Sequence, residues 1–147
     1  MNRDIQLHDS TLSTIIQCEG SVTIFLSDAE IHESPGLPAC DLGLLWTQDA
    51  LIVIHRAEPF TFEAPLPIWI TDGFISSGQV FHDGFIPATG RFEGPTELIL
   101  TLSTEDGSDG GTLTLKGTGV TIKLTGEPSD IVEFNETARC SPPEVET

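Results

Sequence analysis

Apolar and polar residues alternate along most of this chain with a period of two, the spacing that sends successive side chains to opposite faces of a β-strand. In Ser21-Val22-Thr23-Ile24-Phe25-Leu26, the residues Val22, Ile24 and Leu26 share one face. The alternation returns in Leu98-Ile99-Leu100-Thr101-Leu102, in Thr112-Leu113-Thr114-Leu115 and in Val120-Thr121-Ile122-Lys123-Leu124. Threonine and β-branched residues are frequent in these runs and add strand propensity to the period. Further strands are expected at 12–17, 50–57, 68–75 and 79–85, with a short one at 131–134.

Turn chemistry falls between these runs. Glu19-Gly20 separates the first two at hairpin spacing, and Ser76-Ser77-Gly78 does the same between 68–75 and 79–85. Asp106-Gly107-Ser108-Asp109-Gly110-Gly111 and Gly117-Thr118-Gly119 punctuate the later runs. Helical periodicity is nearly absent; a helical turn fits only at 40–48, and Gly43 in its middle weakens it. Ser34-Pro35-Gly36-Leu37-Pro38 interrupts the sheet after Ile31, and 59–67 carries Pro59, Pro65 and Pro67, which makes it an edge segment or loop. The expected fold is therefore all-β, a single antiparallel sandwich or partly closed barrel of about 8–10 short strands. It occupies residues 1–134 as one β domain, with 135–147 as a flexible acidic tail.

Length permits this: at 147 residues, a domain buries roughly two-thirds of its unfolded surface and needs no staples. No apolar stretch approaches the ~18 residues of a membrane span. Cys18, Cys40 and Cys140 are odd in number and too widely spaced for a metal knuckle, and no hydrophobic leader follows Met1-Asn2-Arg3-Asp4. The expectation is three free thiols in a reducing, cytoplasmic setting.

Charge changes the picture most. Six Lys and Arg against twenty-three Asp and Glu leave a formal net charge of −17. Such a surface repels nucleic-acid phosphates and anionic lipid, and it favours fast, salt-sensitive capture of a basic protein. The candidate partner-binding patches are Glu105, Asp106 and Asp109, and a second formed by Asp28, Glu30 and Glu33. Trp46, placed in the irregular segment, is a candidate interface anchor.

Catalytic patterns are weak. His8-Asp9 and His82-Asp83 pair metal-ligating residue types, but neighbours on a strand point to opposite faces and one strand would not present both to one ion. The loop from Asp106 places Gly117 where a calcium loop needs a bidentate glutamate. No Gly-x-Ser-x-Gly elbow occurs, no helix pattern follows Gly117-Thr118-Gly119 to cradle a phosphate, and few cations are present to activate a thiol. No enzyme and no cofactor are expected; the enzymatic alternative is a metal-dependent hydrolase built on His8, Asp9, His82 and Asp83.

Two segments carry a resemblance. Leu7-His8-Asp9-Ser10 leads into the first strand, and Leu124-Thr125-Gly126-Glu127-Pro128 is followed by Ile131-Val132-Glu133-Phe134. This opening and close resemble small bacterial β proteins that include the Imm50-like immunity proteins of polymorphic toxin systems. The likeness runs from Leu7 to Phe134, and the stretch from Ser34 to Trp46 departs from it. The resemblance implies a non-catalytic protein that neutralises a cognate basic toxin domain by covering it. A structural module that homodimerises through an exposed edge near 59–67 is the alternative. The motif residues read as structural: Asp9 and Ser10 satisfying backbone N–H groups by side-chain bonds, His8 holding a strand end, Gly126 supplying a positive-φ turn, and Phe134 closing the core, with Glu127 and Glu133 flanking.

Overall fold

In the computed structural model, which describes residues 1–134, nine strands belong to one antiparallel hydrogen-bonded sheet. They are β1 (Asn2–Gln6), β2 (Thr11–Cys18), β3 (Ser21–Ser34), β4 (Gly43–Ile54), β5 (Ile68–Ser77), β6 (Val80–Asp83), β7 (Phe85–Pro87), β8 (Gly90–Ser103) and β9 (Asp109–Phe134). The all-β expectation holds. The strands are not uniformly short, however: β3 and β8 have 14 residues each and β9 has 26. The tail at 135–147 lies outside the described residues.

Six strands form a ring, β2–β5–β8–β9–β4–β3, because β2 pairs with both β5 and β3. Closure rests on only two residue pairs between β2 and β5, Thr11 with Trp69 and Leu12 with Ile68, so the barrel is partly closed. The two routes around the ring reach β9 at distant points. Thr11 leads through Trp69 and Ser103 to Asp109, whereas Leu12 leads through Leu26 and Ala50 to Leu124. That stagger means steeply tilted strands. It also leaves the second halves of β3 and β9 and the first half of β4 free to extend beyond the ring, where β1 and β7 join them.

The alternation seen in the sequence fills the interior. Val22, Ile24, Leu26, Ala50, Ile52, Ile54, Leu98, Leu100, Leu102, Leu113, Leu115, Val120 and Ile122 are all buried, and each holds the inward position of its strand. Every one is aliphatic, so the ring encloses a packed core.

The largest departure from the expected elements is at 40–48. A single tight turn sits earlier, where the Asp41 N–H donates to the Leu37 carbonyl at 2.9 Å, and strand β4 begins at Gly43. Gly43 marks a close approach: a Cβ there would strike the Glu33 carbonyl oxygen of the neighbouring strand. β9 also continues unbroken through two segments expected as turns. It bends instead at Gly119 (φ 114°) and at Gly126 (φ 70°), consistent with the irregular register of its ladders at Pro95–Phe92 and Thr47–Asp49. Segment 59–67 is a loop with no strand.

Cys40 is held in a disulfide and Cys18 is free and exposed, which corrects the expectation of three free thiols. Spacing along the chain does not report which thiols meet in space. A disulfide persists in an oxidising compartment, so the cysteines no longer argue for a reducing one. Among the described residues no helix is long and apolar enough to cross a membrane.

Candidate functional site: an acidic ridge on strands β3, β4 and β9

The bulge in β3 between Leu26 and Ala29 turns Asp28 outward with φ 53°. Its N–H donates to Asp49 Oδ1 of β4 at 3.1 Å, which sets two exposed carboxylates side by side. Asp49 is in register with Thr125 of β9. Just beyond, Gln48 Nε2 donates to the Gly126 carbonyl at 2.9 Å and the Thr47 and Ser129 hydroxyls meet at 2.9 Å. These cross-strand bonds pin the outer run of β9 to β4. That run carries Glu127, Asp130 and Glu133, all exposed, and between them Ile131 and Val132 at 55% and 52% exposure. Asp130 also has positive φ, 57°. Among the described residues no strand pairs with β9 beyond Ile122 on the side away from β4, so within them this run is an edge bearing two apolar side chains and three carboxylates.

Glu30 is in register with Thr47, which in turn faces Ser129, so it adjoins the same ridge from β3. Its carboxyl is pushed above the ordinary range, first by burial and next by the charge of Asp9, against smaller opposing effects of His8 and a hydrogen bond from Gln6. A carboxyl raised in the folded state favours its protonated form there. It therefore opposes folding once pH rises above its unfolded value, and the opposition fades as pH falls through that range. Glu30→Gln is expected to raise the thermal midpoint at pH 7, with the gain shrinking toward pH 4. A gain that stays constant across a melting series from pH 4 to pH 7 would contradict this assignment.

The remaining expected site residues are placed as follows. Glu33 is buried and its carboxylate accepts from Arg3 Nε, while the Arg3 guanidinium lies over the Trp46 ring at 5.6 Å. Glu33 is thus absent from the exposed part of the second patch. Trp46 is only 6% exposed, and its Nε1–H donates to Gln48 Oε1 at 2.9 Å. The expectation that Trp46 anchors an interface from an irregular segment is corrected: the segment is strand β4 and Trp46 holds one of its inward positions. Glu105, Asp106 and Asp109 lie on the β8–β9 connection. Asp106 accepts from the Ser108 and Thr104 hydroxyls and the Ser108 N–H, which lower its carboxyl to about 2. Asp109 accepts from the Gly111 N–H at 2.8 Å. These carboxylates build the turn, and no hydrogen bond or ion pair joins them to the ridge among the described residues.

The Leu7–Ser10 motif is a stitch between strands. Leu7 is fully buried and its N–H donates to Gly84; Asp9 N–H donates to Ile70, whose own N–H donates to Ser10. The Ser10 hydroxyl donates to the Gln6 carbonyl at 2.9 Å, so it satisfies a C=O, not the N–H expected. Asp9 acts through its backbone, at φ 70°, and its side chain faces His8 Nε2 at 3.2 Å. His8 Nδ1 lies 3.2 Å from the Thr71 carbonyl of β5. Phe134 packs edge-on against buried His32, with ring centroids 4.9 Å apart. His82 lies on β6, 6.2 Å from the Phe92 ring. Among the described residues no three His, Cys, Asp or Glu side chains converge as a metal site would require.

The sequence reading did not single out Asp49, Asp130, Ile131 and Val132, which are all exposed. The available signal was an apolar pair bracketed by Asp130 and Glu133, with both apolar residues adjacent: in a strand such neighbours face opposite sides, and at an edge both reach solvent. Arg91 binds Glu93 at 2.8 Å and, by that bond and its charge with help from His55 and Arg56, lowers the Glu93 carboxyl.

No family model, no curated protein and no solved structure matches this chain.

Proposed function

We propose that this chain is a non-catalytic binding protein that covers a basic surface of a protein partner with the ridge formed by Asp28, Asp49, Glu127, Asp130 and Glu133. The observation that supports this reading is the exposed Ile131–Val132 pair, near those carboxylates, on a strand edge that no other described strand pairs with. Interfaces combine a small apolar centre with a polar rim, and carboxylates on the rim steer a cationic partner into contact. The formal charge of −17 extends that steering over the whole molecule. A nuclease is basic where it meets phosphate, so a toxin domain of that kind is the fitting partner. The resemblance of Leu7–Ser10 and Gly126–Phe134 to the immunity proteins of polymorphic toxin systems agrees with this role.

The test is binding to the product of an adjacent reading frame that encodes a basic toxin-like domain. Association is expected to weaken steeply between about 0.05 and 0.5 M salt, because exposed charges are screened over that range. The triple variant Asp28→Lys, Glu127→Lys, Asp130→Lys is expected to bind roughly 10- to 100-fold more weakly. An affinity indifferent both to salt and to the triple variant overturns the reading.

A further inference from the structure

Past the end of β4 the chain starts to pair with the first half of β9 and then abandons it. Thr118 N–H donates to the His55 carbonyl at 2.8 Å, and Glu58 N–H donates to the Lys116 carbonyl at 2.8 Å. The next residue is Pro59, which has no N–H to give. In an antiparallel strand, alternate residues direct both N–H and C=O to the same edge. Lys116 directs its carbonyl away from β8, and the register with β8 is unbroken from Thr112 to Lys116. Thr112 and Thr114 therefore also present their N–H and C=O groups away from β8. Among the described residues no backbone hydrogen bond reaches those two residues on that edge. A cleft of about 490 Å³ lies alongside, between Pro59, Phe60 and Thr61 on one wall and Thr112, Thr114 and Lys116 on the other.

We propose that this cleft receives an extended peptide segment of a partner protein, added as a further strand along Thr112–Lys116. Two residues with aligned, unclaimed donors and acceptors match an extended polypeptide backbone. Pro59 and the partly buried Phe60 give one wall apolar character, which suits an apolar side chain at alternate positions. Lys116 is offset by Glu97, 3.6 Å from its Nζ, so Glu58 at that end, Asp109 beyond the other and the overall charge of −17 suit basic side chains at the positions between. This surface is separate from the acidic ridge, which lies where β9 pairs with β4, so either can exist without the other.

The probe is an octapeptide of alternating lysine and valine, titrated into the full chain and followed by amide chemical shifts. Shifts are expected at Thr112, Thr114, Lys116 and Phe60. Thr114→Pro removes a donor on the cleft side while leaving the β8 ladder intact; it is expected to weaken the peptide at least tenfold with little change in thermal midpoint. If that variant does not fold, two alternately N-methylated peptides, one methylated on the valines and one on the lysines, decide: one of them is expected to fail. Equal binding by both, no binding of the parent peptide, or shifts confined to 125–133 overturns the proposal. Concentration-dependent shifts of the same amides without peptide also overturn it, since the occupant would then be a second copy of this chain.

Discussion

Replacing Gly43 with alanine is expected to destabilise the protein by about 2–3 kcal/mol, the cost of forcing a methyl group into space already filled. A Cβ at this position would overlap the Glu33 carbonyl oxygen and lie 2.9 Å from its carbonyl carbon and 3.1 Å from Ser34 Cα. All three are backbone atoms of the paired strand, so no side chain can swing aside. β3 and β4 would have to part at the Glu33–Leu44 pair. Gly43 also pairs with Phe134, so the disturbance passes to the end of β9 and loosens the edge that carries Ile131 and Val132. For a chain of this size the loss corresponds to a fall of roughly 5–10 °C in thermal midpoint. A midpoint equal to that of the parent would show that the two strands are not held at this separation.

Leu12→Ala is expected to be costlier still, about 2–5 kcal/mol, from lost burial and the cavity left behind. Leu12 is fully buried and belongs to two ladders, opposite Leu26 of β3 and opposite Ile68 of β5. One of the two residue pairs that close the barrel is its own. The loss should therefore be uneven: amides of Ile68 to Ile70 lose hydrogen-exchange protection first, while the long β4–β9 ladder keeps most of its own. Denaturant unfolding gives the total and exchange gives its distribution. A loss below about 1 kcal/mol, far under the cost of a core cavity, would mean that the β2–β5 contact does not hold the ring shut.

Binding and stability are separable in these experiments. The ridge carboxylates Glu127 and Glu133 are exposed and hold no hydrogen bond or ion pair among the described residues, so reversing their charge is expected to change folding little. Gly43 and Leu12 act in the opposite sense. A protein weakened at Gly43 but still folded should lose partner affinity through a mobile β9 edge, and restoring affinity by stabilising conditions would identify that cause.

The strands were legible because period-two alternation is a local property. Val22, Ile24 and Leu26 are buried and their polar neighbours are less so, as any half-buried strand requires. Hairpins were legible for the same reason: Glu19-Gly20 and Gly78 adopt the positive φ that their turns demand. The net charge of −17 is likewise a property of the chain itself.

Tertiary structure alone decided which residues share a surface. Asp28 and Asp49 are 21 positions apart, and Thr47 and Ser129 are 82 apart; only strand pairing brings them together. Glu33 and Trp46 had the composition of an interface, yet their strand positions turned them toward Arg3 and the core. The closure through β2 is long-range as well. Local patterning sets the face on which a residue lies, whereas ladder register sets its neighbours. Register follows from packing summed over the whole sheet, so no single window of sequence contains it.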